Sequence, residues 1–264
     1  MRASIEGVEI DYELTGEGPP VVFVHGLGGH KGTWSRQVAP LASRYRVLTF
    51  DHRGHGRSTR DVPVTGSAEF VHDLHALLDQ LELDRAVLVG HSFGGVLSIR
   101  FTLAYPERVR GLVVAASASE CNERTHHGWL FRAQLAEEYA RSGVPDPLVE
   151  IDDFGSASLI ADSLRNTSGP IVAAVAREAA SLWQEPLTPR LGEITCPALL
   201  VVGEKDPIGV GGSVIMQRRI ADSKLVVIPR ARHYVHRDAP EAFNAALLEF
   251  LDHVDAKPRS EAGR

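Results

Sequence analysis

The sequence predicts an α/β fold, a mostly parallel central sheet flanked by helices, with a helical insertion. Three observations predict it. Short all-apolar runs such as Val21-Val22-Phe23-Val24 and Ala86-Val87-Leu88-Val89 have the texture of strands covered on both faces. Such runs alternate with stretches of helical periodicity towards both ends of the chain, as parallel βαβ units do. Between about Ser119 and Arg190 the alternation stops and only helical patterns remain. That block reads as an insertion after a strand end, where open sheets of this kind keep their ligand crevices.

Taken in order, Ser4 to Leu14 alternates around Gly7 and reads as two short antiparallel strands at a sheet edge. Gly16 to Pro20 is a loop. The strand Val21–Val24 runs into a glycine-rich turn, His25-Gly26-Leu27-Gly28-Gly29. Trp34–Ser43 is a helix candidate and Arg46–Phe50 a strand. Asp51-His52-Arg53-Gly54-His55-Gly56-Arg57-Ser58 is too polar and too rich in glycine for either regular state. Ser67–Leu81 carries Phe70, Val71, Leu74, Leu77, Leu78 and Leu81 on one helical stripe. The strand Ala86–Val89, a helix over Val96–Tyr105 and the strand Val109–Ala115 follow. Inside the insertion, Leu130–Arg141, Ser156–Leu164 and Ile171–Trp183 have helical patterns. Alternation then resumes with a strand at Ala198–Val202, a helix near Val214–Ile220, a strand at Leu225–Ile228 and a helix over Pro240–Val254. The chain divides into a core domain of residues 1–118 and 191–254, a helical lid of 119–190 and a polar, frayed tail of 255–264.

Bulk properties narrow the function. The chain has 264 residues, 44% hydrophobic and 23% charged, which suits a globular protein built around one large α/β domain. The net charge of −6 and the lack of a basic block argue against nucleic acid or an anionic membrane as partners. The 2 cysteines, Cys121 and Cys196, are too few for a disulfide framework, and reduced thiols in a cytoplasm are the simpler expectation. No apolar signal core opens the chain and no run is long enough to span a bilayer. Homo-oligomer formation is left open.

The chemistry centres on Gly90-His91-Ser92-Phe93-Gly94, a G-x-S-x-G pattern between a strand and a helix. A serine on so sharp a turn is forced into a strained backbone conformation with its hydroxyl exposed, and the following helix directs N–H groups at the same point. A serine hydroxyl needs a base. Among 12 histidines, His233 lies just after the last strand and His236 three residues on is its rival. His91 adjoins the serine, with its ring expected to point away. His72 and His75 share a helix face with nothing to complete a metal site, so no metal and no cofactor are expected. His126 and His127 fall in the lid, and His52 and His55 tie down the polar loop. The base needs an acid, and Asp206 follows the strand Ala198–Val202 directly, with Glu204 as the nearest alternative. Oxyanion donors are on offer from the backbone N–H of Phe93 and, in the glycine-rich turn, of Leu27. Trp34, Phe93, Trp129, Phe131, Trp183 and Tyr234 are candidates for pocket walls. Arg132, Arg165 and Arg177 are candidate partners for a substrate carboxylate.

With these residues in view the chain resembles the α/β-hydrolase family over nearly its whole length. Ser92, Asp206 and His233 occur in that family's order of nucleophile, acid and base. His25-Gly26 looks like its oxyanion turn, and Asp51 to Ser58 is similar to its D-x-R-G-x-G-x-S loop. His233 to Pro240 matches H-x-x-x-x-[DE]-x-P, which singles out His233 over His236. The serine at position 92 excludes the branch that uses an aspartate nucleophile. The resemblance implies a serine hydrolase of the carboxylesterase or enol-lactonase kind, acting on a small carboxylic ester or lactone without a cofactor. Three alternatives remain within the fold: a C–C bond hydrolase of vinylogous diketones, a cofactor-free haloperoxidase and a small-molecule receptor that keeps the triad. Tyr234, where C–C hydrolases tend to carry Trp, weakens the first.

Overall fold

The computed structural model describes residues 1–142 and 163–257. Among them eight strands form one sheet in the order β1-β2-β4-β3-β5-β6-β7-β8. The strands are β1 (Arg2–Ile5), β2 (Val8–Thr15), β3 (Pro20–Val24), β4 (Arg46–Phe50), β5 (Ala86–His91), β6 (Val109–Ala115), β7 (Ala198–Gly203) and β8 (Ser223–Ile228). The pairings β1–β2 and β2–β4 are antiparallel and all the others are parallel.

The apolar runs explain the layers. Side chains alternate across a strand, so a run with no polar residue must be covered on both faces. Val22, Val24, Leu88, Leu112 and Leu200 face one core, with helices α2 (Ala68–Gln80) and α3 (Phe93–Ala104). Val21, Phe23, Val87, Val89, Val113, Leu199 and Val201 face the other, with α1 (Ser35–Leu41) and the C-terminal helix α8 (Pro240–Ala256). The insertion leaves after β6 as α4 (Glu123–Ser142) and returns through α5 (Gly169–Ser181). These two helices pack on each other through Ala133, Ala136, Val172, Ala173 and Ala176. Helix α6 (Gly209–Arg219) links β7 to β8, and the single turn α7 (Val235–Asp238) precedes α8.

Some boundaries differ from expectation. The helix expected from Trp34 begins as a 3-10 turn, Lys31–Trp34, capped by the His30 ring, before α1. Asp255, expected in a frayed tail, belongs to the last turn of α8, where the Tyr45 hydroxyl donates to it at 2.8 Å and Arg110 at 2.6 Å. The helix expected at Ser156–Leu164 lies outside the described residues except for its last two, which are helical.

Topology then positions the site. The chain steps from β3 outwards to β4 and returns to β5 on the other side of β3. Loops leaving the carboxyl ends of β3 and β5 diverge there and open a crevice. The turn at Leu27 and the bend at Ser92 are those two loops.

Candidate active site

Ser92 has φ 53° and ψ −120°, a conformation that L-residues avoid. The surroundings impose it. The Ser92 N–H donates to the Ala115 carbonyl at 2.9 Å, and its own carbonyl accepts from the Ser117 hydroxyl at 2.7 Å. The flanking glycines are needed for space. A side chain on Gly90 would strike the Gly94 carbonyl and the Ser98 hydroxyl, and one on Gly94 would strike the Val24 carbonyl. The strand and helix therefore approach closely enough to lift Ser92 onto the bend.

Asp206 and His233 meet Ser92 from the carboxyl ends of β7 and β8, the two strands beyond β6. His233 Nε2 lies 3.1 Å from Ser92 Oγ, and His233 Nδ1 lies 3.1 Å from Asp206 Oδ2. With the proton on Nδ1, the ring donates to the carboxylate and accepts from the hydroxyl. The Asp206 side chain is fully buried, while 28% of the His233 side chain is exposed. Burial pushes the Asp206 carboxyl up, but His233 and the N–H groups of Ile208 and Gly209 outweigh this and hold it below the ordinary carboxylate range. Glu204 is exposed and accepts from the Arg230 N–H at 2.8 Å instead. His236 is wholly buried, its ring 4.3 Å from that of Trp34. It does not reach Ser92.

The turn after β3 sits against Ser92, where a side chain on Gly26 would come within 3.1 Å of Ser92 Cβ. His25 braces it from beneath. Its Nδ1–H donates to the Gly26 carbonyl at 2.8 Å, and its Nε2 accepts from the His52 N–H at 3.1 Å. His52 Nε2 returns a hydrogen bond to the His25 carbonyl at 3.1 Å, and His55 packs beside both. Burial lowers the His25 pKa to about 4 and the His55 pKa to about 3, which favours neutral rings; His25 both donates and accepts, and His55 donates from Nδ1 to the Arg53 carbonyl at 3.0 Å. Asn166, within the insertion, donates to the Gly28 carbonyl at 3.1 Å, and Leu27, like Trp129 and Leu164, packs against the small apolar cluster that joins α4 and α5.

The expected pocket residues scatter. Phe93 is buried against Phe70. Trp34 has no exposed surface and packs with Phe23, His236 and Phe243, so it is a core residue and not a pocket wall. Trp129 is half-buried against the α4–α5 cluster, with the Arg132 guanidinium 4.6 Å from its ring. Phe131 and Trp183 are 42% and 46% exposed, and Tyr234 lies 5.3 Å from the His91 ring. Arg132 is buried, Arg177 pairs with Glu137 at the surface, and Arg165 lines a polar crevice of about 420 Å³ with Lys31, Arg57 and Asp51. His126 Nδ1–H donates to the Ala180 carbonyl of α5 at 2.9 Å, and His127 is exposed beside Glu123. The His91 ring points to the opposite side of the bend from the Ser92 hydroxyl, as expected, and there it faces the His233 loop. Ser117 had no signal in the sequence beyond standing past a strand end.

A serine bend at the switch point of a doubly covered sheet, with a histidine and an acid from later strand ends, defines a hydrolytic enzyme of the α/β type. The comparisons with known proteins carry this to a family. The model of the alpha/beta hydrolase family matches residues 21–246, and the chain belongs to that family. It is 29% identical to 3-oxoadipate enol-lactonase 2 of Acinetobacter baylyi over 92% of each chain. It is 28% identical to the 2-(acetamidomethylene)succinate hydrolase of Mesorhizobium japonicum, covering 95% of this chain and 94% of that one. A thermophilic esterase from Thermogutta terrifontis, solved with malate bound, superposes with a TM-score of 0.80 at 27% identity, over 96% of this chain and 99% of the other. The protein is an α/β-hydrolase, and no helix among the described residues is long and apolar enough to cross a membrane.

Proposed function

We propose that the protein hydrolyses a small carboxylic ester or lactone through an acyl-enzyme. The observation that carries this is the continuous hydrogen-bonded chain from Ser92 Oγ through His233 to Asp206, 3.1 Å at each link. His233 takes the hydroxyl proton as Ser92 attacks the carbonyl carbon. Negative charge gathers on the carbonyl oxygen, where the N–H groups of Phe93 and Leu27 would receive it. The tetrahedral adduct collapses, His233 returns the proton to the departing alkoxide, and the alcohol leaves. Water then gives its proton to His233 and attacks the ester of Ser92, releasing the acid and restoring the serine. In a lactone the departing alkoxide stays on the same molecule. Asp206 remains ionised throughout, in keeping with a carboxyl held below its ordinary range.

In this reading residues 119–190 form the lid that chooses the substrate, with Trp129 and Leu27 packed on the same α4–α5 cluster. The names of the relatives, an enol-lactonase and an esterase, support the same bond type. The test is turnover of a panel of esters and lactones by wild type and Ser92→Ala, with a fluorophosphonate as a covalent probe of Ser92. Multiple turnovers by wild type, and none by Ser92→Ala, are expected. Retained turnover in the purified variant would sink the mechanism, and a single slow turnover by wild type would favour a receptor.

A further inference from the structure

The proposed base sits in an awkward place. His233 lies in the loop between β8 and α7, and β8 is separated from β5, the nucleophile's strand, by β6 and β7. Distance between base and nucleophile would otherwise be set through three strand ladders and a loop that contains a left-handed residue, Arg230, at φ 63°. A shorter route exists. His91, immediately before Ser92, is 2% exposed, and its Nε2 lies 3.0 Å from the backbone carbonyl oxygen of His233. A carbonyl only accepts, so this contact requires the proton on Nε2. The other ring nitrogen faces the oxyanion turn, where a Cβ on Gly26 would come within 3.3 Å of it.

Among the described residues, imidazole and aromatic rings pack around the His91 ring. His233, Tyr234 and His236 of the base loop have ring centroids 5.0, 5.3 and 4.7 Å away, and Trp34 lies at 6.4 Å. Burial first, then the neighbouring imidazoles, hold His91 neutral. The far end of the loop is pinned in the same manner, since Gln37 Nε2 donates to the His236 carbonyl at 3.0 Å.

We propose that His91 is a positioning residue for the base: its Nε2–H holds the His233 carbonyl and so ties the base to the strand end that carries Ser92. This rests on the reading of Ser92 and His233 given above. Adjacent residues at a strand end direct side chains to opposite sides. Ser92 therefore reaches the crevice while His91 reaches behind it, and any movement of β5 carries nucleophile and base together. Because the rate depends steeply on the distance between reacting groups, a loosened base costs turnover more than binding.

The experiment uses wild type, Ser92→Ala, His91→Phe and His91→Gln. The phenylalanine keeps a ring without a donor, and the glutamine amide offers an N–H near the position of Nε2. Each is measured for the rate of fluorophosphonate labelling and for kcat and KM on a short-chain aryl ester, after circular dichroism has established folding. His91→Phe is expected to lower the labelling rate and kcat by roughly 10- to 100-fold with KM within about threefold. His91→Gln should stay within about threefold of wild type. Equal labelling of wild type and folded His91→Phe overturns the proposal, as does a Gln variant as impaired as Phe. Should His91→Phe not fold, nitrogen-15 NMR of wild-type histidines decides: an Nε2–H tautomer at His91 is expected, and an Nδ1–H tautomer or an imidazolium overturns it. A wild type that the fluorophosphonate does not label removes the Ser92 reading itself. A labelled wild type with an indifferent His91→Phe removes only the role of His91.

Discussion

The carboxyl end of the sheet and the α4–α5 pair are built by opposite means. At the sheet end the polar side chains closest to Ser92 are held by hydrogen bonds: His25 by Gly26 and His52, Asp206 by His233 and Ile208, His91 by His233. The α4–α5 pair is held by alanines and a valine, with charged or aromatic side chains such as Arg177, Phe131 and Trp183 left at the surface. Small apolar residues let two helices approach but specify little about what lies between them and the sheet. Chemistry demands fixed geometry, and the sheet end supplies it. Selectivity tolerates variation, and the helical pair is where variation is cheap.

The sharpest way to break this contrast is at Ser92 and Asp206. Ser92→Ala should lower kcat/KM by about 10⁴-fold or more, and Asp206→Asn, which spoils the tautomer of His233 while keeping its shape, by about 10³- to 10⁴-fold. Glu204→Gln, two residues from Asp206 and exposed, should stay within about twofold. Steady-state kinetics on one ester decides all three, and similar losses at Glu204 and Asp206 would mean that the acid has been misassigned. His236→Phe should lose less than about tenfold, against about 10³-fold or more for His233→Ala, because only His233 reaches the hydroxyl.

The same contrast governs how much could be read in advance. β4 and β6 have the boundaries that their apolar runs indicate, because two-sided burial leaves a continuous signal. Ser92, Asp206 and His233 were legible because strand ends and motif spacing locate them without any knowledge of packing. Helix starts were less so. α3 begins at Phe93 and α6 at Gly209, where glycines stand for close approach and not for chain flexibility. α4 begins at Glu123, seven residues ahead of its apolar stripe, with Asn122 accepting from the Thr125 N–H. The core place of Trp34 and the partner of His91 escaped the sequence for a common reason. An aromatic or imidazole ring has the same letter whether it faces a cavity, a core or a carbonyl, and only the fold decides.

Acid should expose the contrast in stability. His25, His55 and His236 are held neutral by burial, with pKa values near 4, 3 and 3. Each has a folded pKa below its unfolded value of about 6.5, so each takes up a proton on unfolding. Their contribution is complete above about pH 6.5 and is lost as pH falls towards 4 and 3. By linkage each costs a little over 1 kcal/mol between pH 7 and 5.5, or about 4 kcal/mol for the three, and His52 and His91 act in the same direction. Urea unfolding at the two pH values measures it. The α4–α5 pair carries no wholly buried histidine among the described residues, since His126 is half-buried and His127 exposed. A flat profile between pH 7 and 5.5 would mean that the imidazoles around the site are not neutral and enclosed.

The smallest effect belongs to the helical pair, and it tests the division of labour most closely. Trp129 is half-buried, packs on the same α4–α5 cluster as Leu27 and carries the Arg132 guanidinium on its ring. If α4 selects the substrate while the sheet end performs the chemistry, Trp129→Ala should alter kcat/KM by about tenfold, roughly 1.4 kcal/mol. The change should be uneven across esters and lactones of different size and charge. Fluorophosphonate labelling, which needs the nucleophile and base but little of the pocket, should change by less than about threefold. An even loss on every substrate together with slower labelling would place Trp129 among the groups that hold Leu27 in register. The oxyanion turn would then be shared property of both regions, and the boundary between chemistry and selection would run through Leu27 instead of between sheet and helices.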